Sequence, residues 1–598
     1  MKEQIAVYEL LRDMIRGKTG HLSRVTYTPQ KPAFSCQEDA EQSFPRTPPE
    51  AQGISSRRMS EFFLELAALK ETDMHHVMVL RNGAVIGECS FAPYQQDIWH
   101  IGHSMCKSIT GMAIGLLIEE GRLRLDDRVV KIMERRRGLL TGMRQKGLTI
   151  EHLLTMQSGV DFRETGIVTG DDWVKGYLDS SVSSSPGTRF DYNSMNSYML
   201  SAIVTEITGK PMSEYLEERL FGPMGIRNYF WETCPKGITK GGWGLFLRPE
   251  DAAKLGQLYL DKGRFKGKQL ISQEWVAAST SKKVDTPQEM NSYGYGYQLW
   301  IGGREGSFLF NGMLGQNVAV YPDLNMVIVT NAGSNELFPN CKLMDVVHRY
   351  FEGDFSPPQS LPERPLAYGE FQRLQKQLGI SSPPFPARMA GGWKKKGRER
   401  KLTRLRPEME MKKLSGRLYT LERQQAGLFP LIMQVFHNNF TDGISSLGFL
   451  YAQGKSYLLV KEGPYSKKLK LGFGRGAINE ISIHGEPYLC AVQGEFTRNE
   501  DGALVLKVDI AFLEEAARRK LKIFFREEEI QVYFQETPGK ELIQKGLGGV
   551  LKEAANHPLL NGIRELSAVD LPELLVEQTI SPVIRGTLSE ENHKEEEK

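Results

Sequence analysis

The residues best placed for covalent chemistry stand close together at Ser104-Met105-Cys106-Lys107. A serine hydroxyl is a weak nucleophile until a neighbouring group takes its proton. A lysine three residues further along a helix lies on the same face, within reach. Held in a dry pocket, it can lose its charge and take that proton, or hand it on. The first turn of the helix also offers backbone N–H groups to a developing oxyanion. Alone the Ser-x-x-Lys pattern is weak, because a chain of 598 residues holds several by chance. The stretch Gly102-His103-Ser104-Met105-Cys106 also half-matches G-x-S-x-G. It lacks the second glycine and the βαβ alternation that a nucleophile elbow needs. His100 and His103 read as structural histidines rather than groups that tune Lys107. Cys106 is turned away from the Ser104–Lys107 face and reads as apolar filler.

The surrounding elements give the tetrad its setting. His76–Phe91 reads as two strands joined at Asn82-Gly83, a pair that tolerates the positive φ angles of a type I′ turn. Ser104–Leu123 has helical apolar spacing and stops at Gly121, which predicts an amphipathic helix with the serine at its start. Ser213–Gly225 is a second helix, ended by Gly222-Pro223. Ser307–Met313 and Gln316–Gly333 read as strands, the latter a pair joined at Pro322–Asn325. Strands flanking a helical middle predict an α+β sandwich with a largely antiparallel sheet. Four further segments follow the tetrad in order: Glu119–Asp127, Leu148–Gly159, Pro186–Ser194 and Gly241–Ser272.

With those segments in place, the sequence resembles the serine β-lactamase and penicillin-binding-protein-like family, over about Pro48–Tyr350. It is similar to the side of that family holding class C β-lactamases, esterases and hydrolases of linear amide oligomers. The resemblance implies a β-lactamase/transpeptidase-like α/β sandwich. It makes Ser104 the acylated nucleophile, Lys107 its partner and Tyr192 a phenolic base that relays the proton. Such a phenol must be acidified by a nearby ammonium. Ser194 replaces the asparagine of β-lactamases proper in Tyr192-Asn193-Ser194 and would bond Lys107 or substrate. The third motif falls on Phe310–Gln316, where the family's basic residue is missing. There Asn311 and Gly312 would meet substrate, Gly312 letting the backbone approach. The Met313 N–H would join the Ser104 N–H as an oxyanion donor. Without that cation, a substrate carboxylate has no charged partner on this strand, so weak or no β-lactamase activity is expected. Trp173 reads equally as an aromatic wall of the cleft or as core. Tyr293–Trp300 reads as an aromatic strand that is mostly core.

Composition bounds the rest. Lys plus Arg is 76 and Asp plus Glu 73, a net +3 that gives no whole-chain argument for nucleic acid or an anionic membrane. Hydrophobic residues at 40% and charged residues at 25% exclude a fibrous or mostly disordered chain. Six scattered cysteines, without CxxC or zinc spacing, read as reduced thiols. No run of about 18 apolar residues predicts a membrane span, and the N-terminus is a poor signal peptide and reads as a short amphipathic helix, so a cytoplasmic protein is expected. Arg388–Lys413 holds eleven Lys/Arg against three Asp/Glu and reads as a solvated linker. Short strands recur from about Leu414 to Gln535 and predict an all-β barrel or sandwich that resembles an appended lipocalin-like domain. Gly472–Gly476 within it is a turn and not a phosphate loop. The expected organisation is an extension over 1–47, a hydrolase domain over 48–355, a basic linker over 356–413, a lipocalin-like β domain over 414–545 and a helix and tail over 546–598. No metal or organic cofactor is expected. The expected partner is a small ester or amide substrate, with homo-oligomerisation left open. The competing expectation is a catalytically weak ligand-binding or regulatory member of the same fold.

Overall fold

The computed structural model describes residues 23, 25–35, 43–136, 145–168, 170–380, 405–539, 542 and 578–589. The expected helix at the N-terminus, the basic run up to residue 404 and most of the expected C-terminal helix and tail lie outside them. The chain divides into two compact units, Thr28–Ser382, and Met1–Tyr27 with Pro383–Lys598.

The first unit is built on a mixed arrangement of strands and helices. In chain order its strands are β1 (Thr72–Arg81), β2 (Ala84–Ser90), β3 (His100–Ile101), β4 (Phe230–Trp231) and β5 (Leu245–Leu247). They continue with β6 (Arg264–Phe265), β7 (Lys268–Gln269), β8 (Trp300–Ile301), β9 (Phe308–Gly312), β10 (Gln316–Tyr321) and β11 (Met326–Ser334). Six of them form one sheet in the order β2-β1-β11-β10-β9-β8, antiparallel throughout. The Asn82-Gly83 turn between β1 and β2 has φ of 51° and 72°, as the hairpin signal predicts. Every residue of β10 and β11 is buried, so helices must cover both faces of the sheet. On one face, Phe62 and Phe63 of helix Ser56–Ala67 join Val347 and Phe351 of helix Lys342–Phe351. Phe371 of helix Pro365–Ile380 packs edge-on against Phe63, so this helix, within the stretch expected as linker, forms part of the core. On the other face lies helix Pro249–Leu260, where a Cβ at Gly256 would come 2.6 Å from Val318 Cγ1.

Helix Cys106–Glu119 runs through the helical half of the unit. Its residues are buried on all sides from Cys106 to Leu117, so it is a central helix and not the amphipathic one expected. Its glycines explain the closeness: Gly115 faces the Trp275 ring, and Gly111 faces the Tyr297 carbonyl. A three-stranded sheet, β3-β5-β4, leads into this helix.

The second unit is a β barrel. Its strands are β12 (Leu418–Leu421), β13 (Ile444–Ala452), β14 (Lys455–Glu462), β15 (Tyr465–Phe473) and β16 (Ala477–Ile483). They continue with β17 (Glu486–Arg498), β18 (Leu504–Phe512), β19 (Arg518–Arg526), β20 (Glu529–Thr537) and β21 (Val583–Leu588). The sheet order is β15-β14-β13-β12-β21-β20-β19-β18-β17-β16, and a parallel pairing of β15 with β17 closes nine strands into a barrel. Strand β21 falls where the sequence predicts only helix and loop. Six residues separated from β20 by more than forty carry too short a pattern to read. A helix, Leu431–His437, interrupts the strands.

Candidate active site

The approach to Ser104 is held rigidly from behind. His100, on β3, bonds the Ile101 carbonyl through Nδ1 at 2.9 Å. That ring nitrogen must therefore be the donor, leaving Nε2 to accept from His75 Nδ1 at 2.8 Å. A bulge in β1 between Met74 and His76 leaves both His75 and His76 buried. Burial holds His100 well below the ordinary imidazole range, so it is neutral and structural, as expected. The chain then turns through His103 at φ 45° into a 3-10 turn, His103–Met105, that carries Ser104.

Lys107 follows one turn on, 1% exposed. Its Nζ lies 2.8 Å from Ser104 Oγ, 3.0 Å from Ser194 Oγ and 2.7 Å from the Gly242 carbonyl oxygen. All three partners are neutral. Desolvation without a carboxylate in contact brings the Lys107 ammonium down to about 8. A neutral amine here donates its two protons to Ser194 and Gly242 and accepts the Ser104 O–H on its lone pair. The deprotonated lysine is thus the form that can receive the serine's proton.

Tyr192 stands beside Lys107, its ring 5.1 Å from Nζ and its phenol turned toward the Ser104 hydroxyl. The ring stacks on Trp300 at 5.4 Å and meets Phe338 edge-on at 5.6 Å. These aromatic neighbours desolvate the phenol and raise it above its ordinary range. Desolvation thus works against the acidified phenol expected at this position and favours the protonated form.

Asn193 caps helix Ser194–Thr208: its Oδ1 accepts the Met195 N–H at 2.9 Å, and its Nδ2 donates to the Val160 and Phe162 carbonyls. That cap orients Ser194, the first helical residue, toward Lys107. Gly312 ends β9 against the turn before the serine: a Cβ there would lie 2.1 Å from the Gly102 oxygen and 3.0 Å from the Met105 nitrogen. The close approach is thus to the turn that carries Ser104, and it brings Met313 beside that turn. Leu314, at φ 67°, donates its N–H to the Glu336 carbonyl and holds the turn after Met313.

Two expected substrate contacts sit elsewhere. Asn311 is 6% exposed and gives its amide to Asn317 Oδ1 at 2.7 Å, inside the sheet. Trp173 is 2% exposed, stacked on Trp243 and donating to the Gly170 carbonyl, so it is core behind Gly242 and not a cleft wall. Cys106 is buried filler, as expected, its thiol pushed up to about 12 by burial. Sequence reasoning missed Gly242, which acts through a backbone atom, and Glu164, whose Oε1 accepts the Ser194 N–H at 3.1 Å. Among the described residues, no three His, Cys, Asp or Glu gather as a metal site, and no helix is long and apolar enough to cross a membrane.

Sheet, central helix and this cluster define a β-lactamase-type fold, and residues 70–339 match the Beta-lactamase family model. Over residues 70–339 the first unit is similar to the β-lactamase and penicillin-binding-protein-like family, which includes relatives named as hydrolases. Its relatives include the 6-aminohexanoate-dimer hydrolase of Paenarthrobacter ureafaciens, 27% identical over 289 residues, or 44% of this chain and 73% of that one. Another is the Bacillus subtilis protein PbpX, whose name gives penicillin binding as provisional, 26% identical over 37% of this chain and 61% of its own length. Among solved structures, a penicillin-binding protein homologue from Caulobacter crescentus matches with TM-score 0.41 and 16% identity, over 49% of this chain and 97% of its own. The octameric penicillin-binding protein homologue from Pyrococcus abyssi matches with TM-score 0.40 and 17% identity, over 80% of this chain and 98% of its own.

Proposed function

We propose that the protein is a serine hydrolase that cleaves an ester or amide through an acyl-enzyme on Ser104. The observation that carries this is the 2.8 Å contact between Ser104 Oγ and a buried lysine whose other partners are neutral. Lys107 takes the Ser104 proton as Oγ attacks the carbonyl carbon. The N–H groups of Ser104 and Met313 receive the oxyanion of the tetrahedral intermediate. Tyr192, protonated, gives its proton to the leaving oxygen or nitrogen and recovers one from Lys107. Water then attacks the acyl-enzyme by the same path in reverse, and Ser104 is released. A relative named as a 6-aminohexanoate-dimer hydrolase supports this reading.

A fluorophosphonate probe tests it. Intact mass should show one adduct on the full chain, located to Ser104 and lost in Ser104→Ala. An unlabelled folded protein would favour a ligand-binding member of the fold instead. The missing cation in Phe310-Asn311-Gly312 further predicts nitrocefin turnover near background. Robust turnover that Ser104→Ala abolishes would refute that substrate limit.

A further inference from the structure

We infer that Glu164 is a positioning residue for the Ser104 reaction, fixing Ser194 and, through Ser194, the amine of Lys107. This rests on the serine-hydrolase reading above. Glu164 opens the 3-10 turn Glu164–Val168, an element separate from the nucleophile helix and from helix Ser194–Thr208. Its Oε1 accepts the Ser194 N–H at 3.1 Å. That amide is in the first turn of its helix, where no intrahelical acceptor exists, and a carboxylate suits the partial positive charge there. The hydroxyl of the same serine receives Lys107 Nζ at 3.0 Å, and Lys107 meets Ser104 at 2.8 Å. Three consecutive hydrogen bonds therefore run from the carboxylate to the nucleophile.

Glu164 also brings a negative charge near a lysine whose direct contacts are all neutral. The titratable groups bearing on Lys107 are Cys106 on its own helix, Tyr192 at the edge of the next, and Glu164. Burial keeps the thiol and the phenol protonated and neutral. Arg163, beside Glu164, pairs with Asp191 at 2.5 Å. The Glu164 charge favours the ammonium and so opposes the desolvation of Lys107. The pocket holds its lysine between two opposing influences, and Glu164 supplies one of them.

Glu164→Gln keeps an acceptor for the Ser194 N–H and removes the charge, whereas Glu164→Ala removes both. Lys107 can be titrated directly by NMR on full-length protein carrying 13Cε-lysine, with its resonance assigned from Lys107→Met. The midpoint in Glu164→Gln should fall by about half a pH unit or more. On p-nitrophenyl butyrate, Glu164→Ala should lose about tenfold in plateau kcat with KM within about twofold. Glu164→Gln should restore most of that kcat while its acid limb follows the NMR midpoint. A purely structural role would lower the melting temperature of both variants and leave the Lys107 midpoint in place, which would overturn the inference. If wild type neither hydrolyses the ester nor takes the fluorophosphonate, the hydrolase reading fails, and the NMR midpoint still decides the Glu164–Lys107 link.

Discussion

Two buried lysines in the first unit have opposite surroundings. Lys107 meets only neutral oxygens, from Ser104, Ser194 and Gly242. Lys254, fully buried on helix Pro249–Leu260, lies 2.8 Å from Asp251 Oδ1, whose Oδ2 takes Arg248 Nε at 2.8 Å. A carboxylate in contact offsets the cost of burying a cation and fixes its charge. Neutral acceptors offset less, so burial pulls Lys107 down to about 8, where its proton is exchangeable near physiological pH. The same residue type is thus a brace in one place and, in the proposed reaction, a reagent in the other, and the partner decides which.

The largest expected effect tests the reagent side. Lys107→Ala should reduce kcat/KM on a p-nitrophenyl ester by about 10⁴-fold. In wild type, kcat/KM should climb tenfold per unit as pH rises toward about 8 and flatten above it, because the neutral amine is the active form. Stopped assays over pH 6–10 would show this, and a flat profile would remove Lys107 as the base. The brace side should respond in stability. Asp251→Ala strands two buried cations and should cost about 3–5 kcal/mol in urea unfolding, with activity per folded molecule kept. If the two variants instead lose stability and activity in the same proportion, the contrast is false. The smallest effect sharpens it: Ser194→Ala removes one neutral acceptor from Lys107 and should cost about 1 kcal/mol, or five- to tenfold in kcat.

What the sequence displayed of this arrangement depended on distance along the chain. Ser104 and Lys107 are three residues apart, so helical geometry alone puts them in reach. Asn82-Gly83 fixes its hairpin locally, and the strand pair ending at Met326–Ser334 is a plain apolar run. Gly242 is invisible by the same logic. It contacts Lys107 across 135 residues through a carbonyl that every residue type possesses. Glu164 lies in a loop whose composition gives no reason to single it out. The aromatic surroundings of Tyr192 come from Trp300 and Phe338, more than a hundred residues away, and no local pattern encodes that packing. Trp173 fits a wall or a core equally from its sequence, and only its stacking on Trp243 separates the two.

Strand β21 lies between β12 and β20, pairing with the barrel's first strand on one side and with a late one on the other. A chain that has been synthesised only as far as Thr537 would therefore present two raw sheet edges, on β12 and β20, each a template for another strand. The barrel can seal only once residues beyond 580 have emerged. Premature termination anywhere in the preceding forty residues would leave eight of the nine barrel strands with two open, sticky edges.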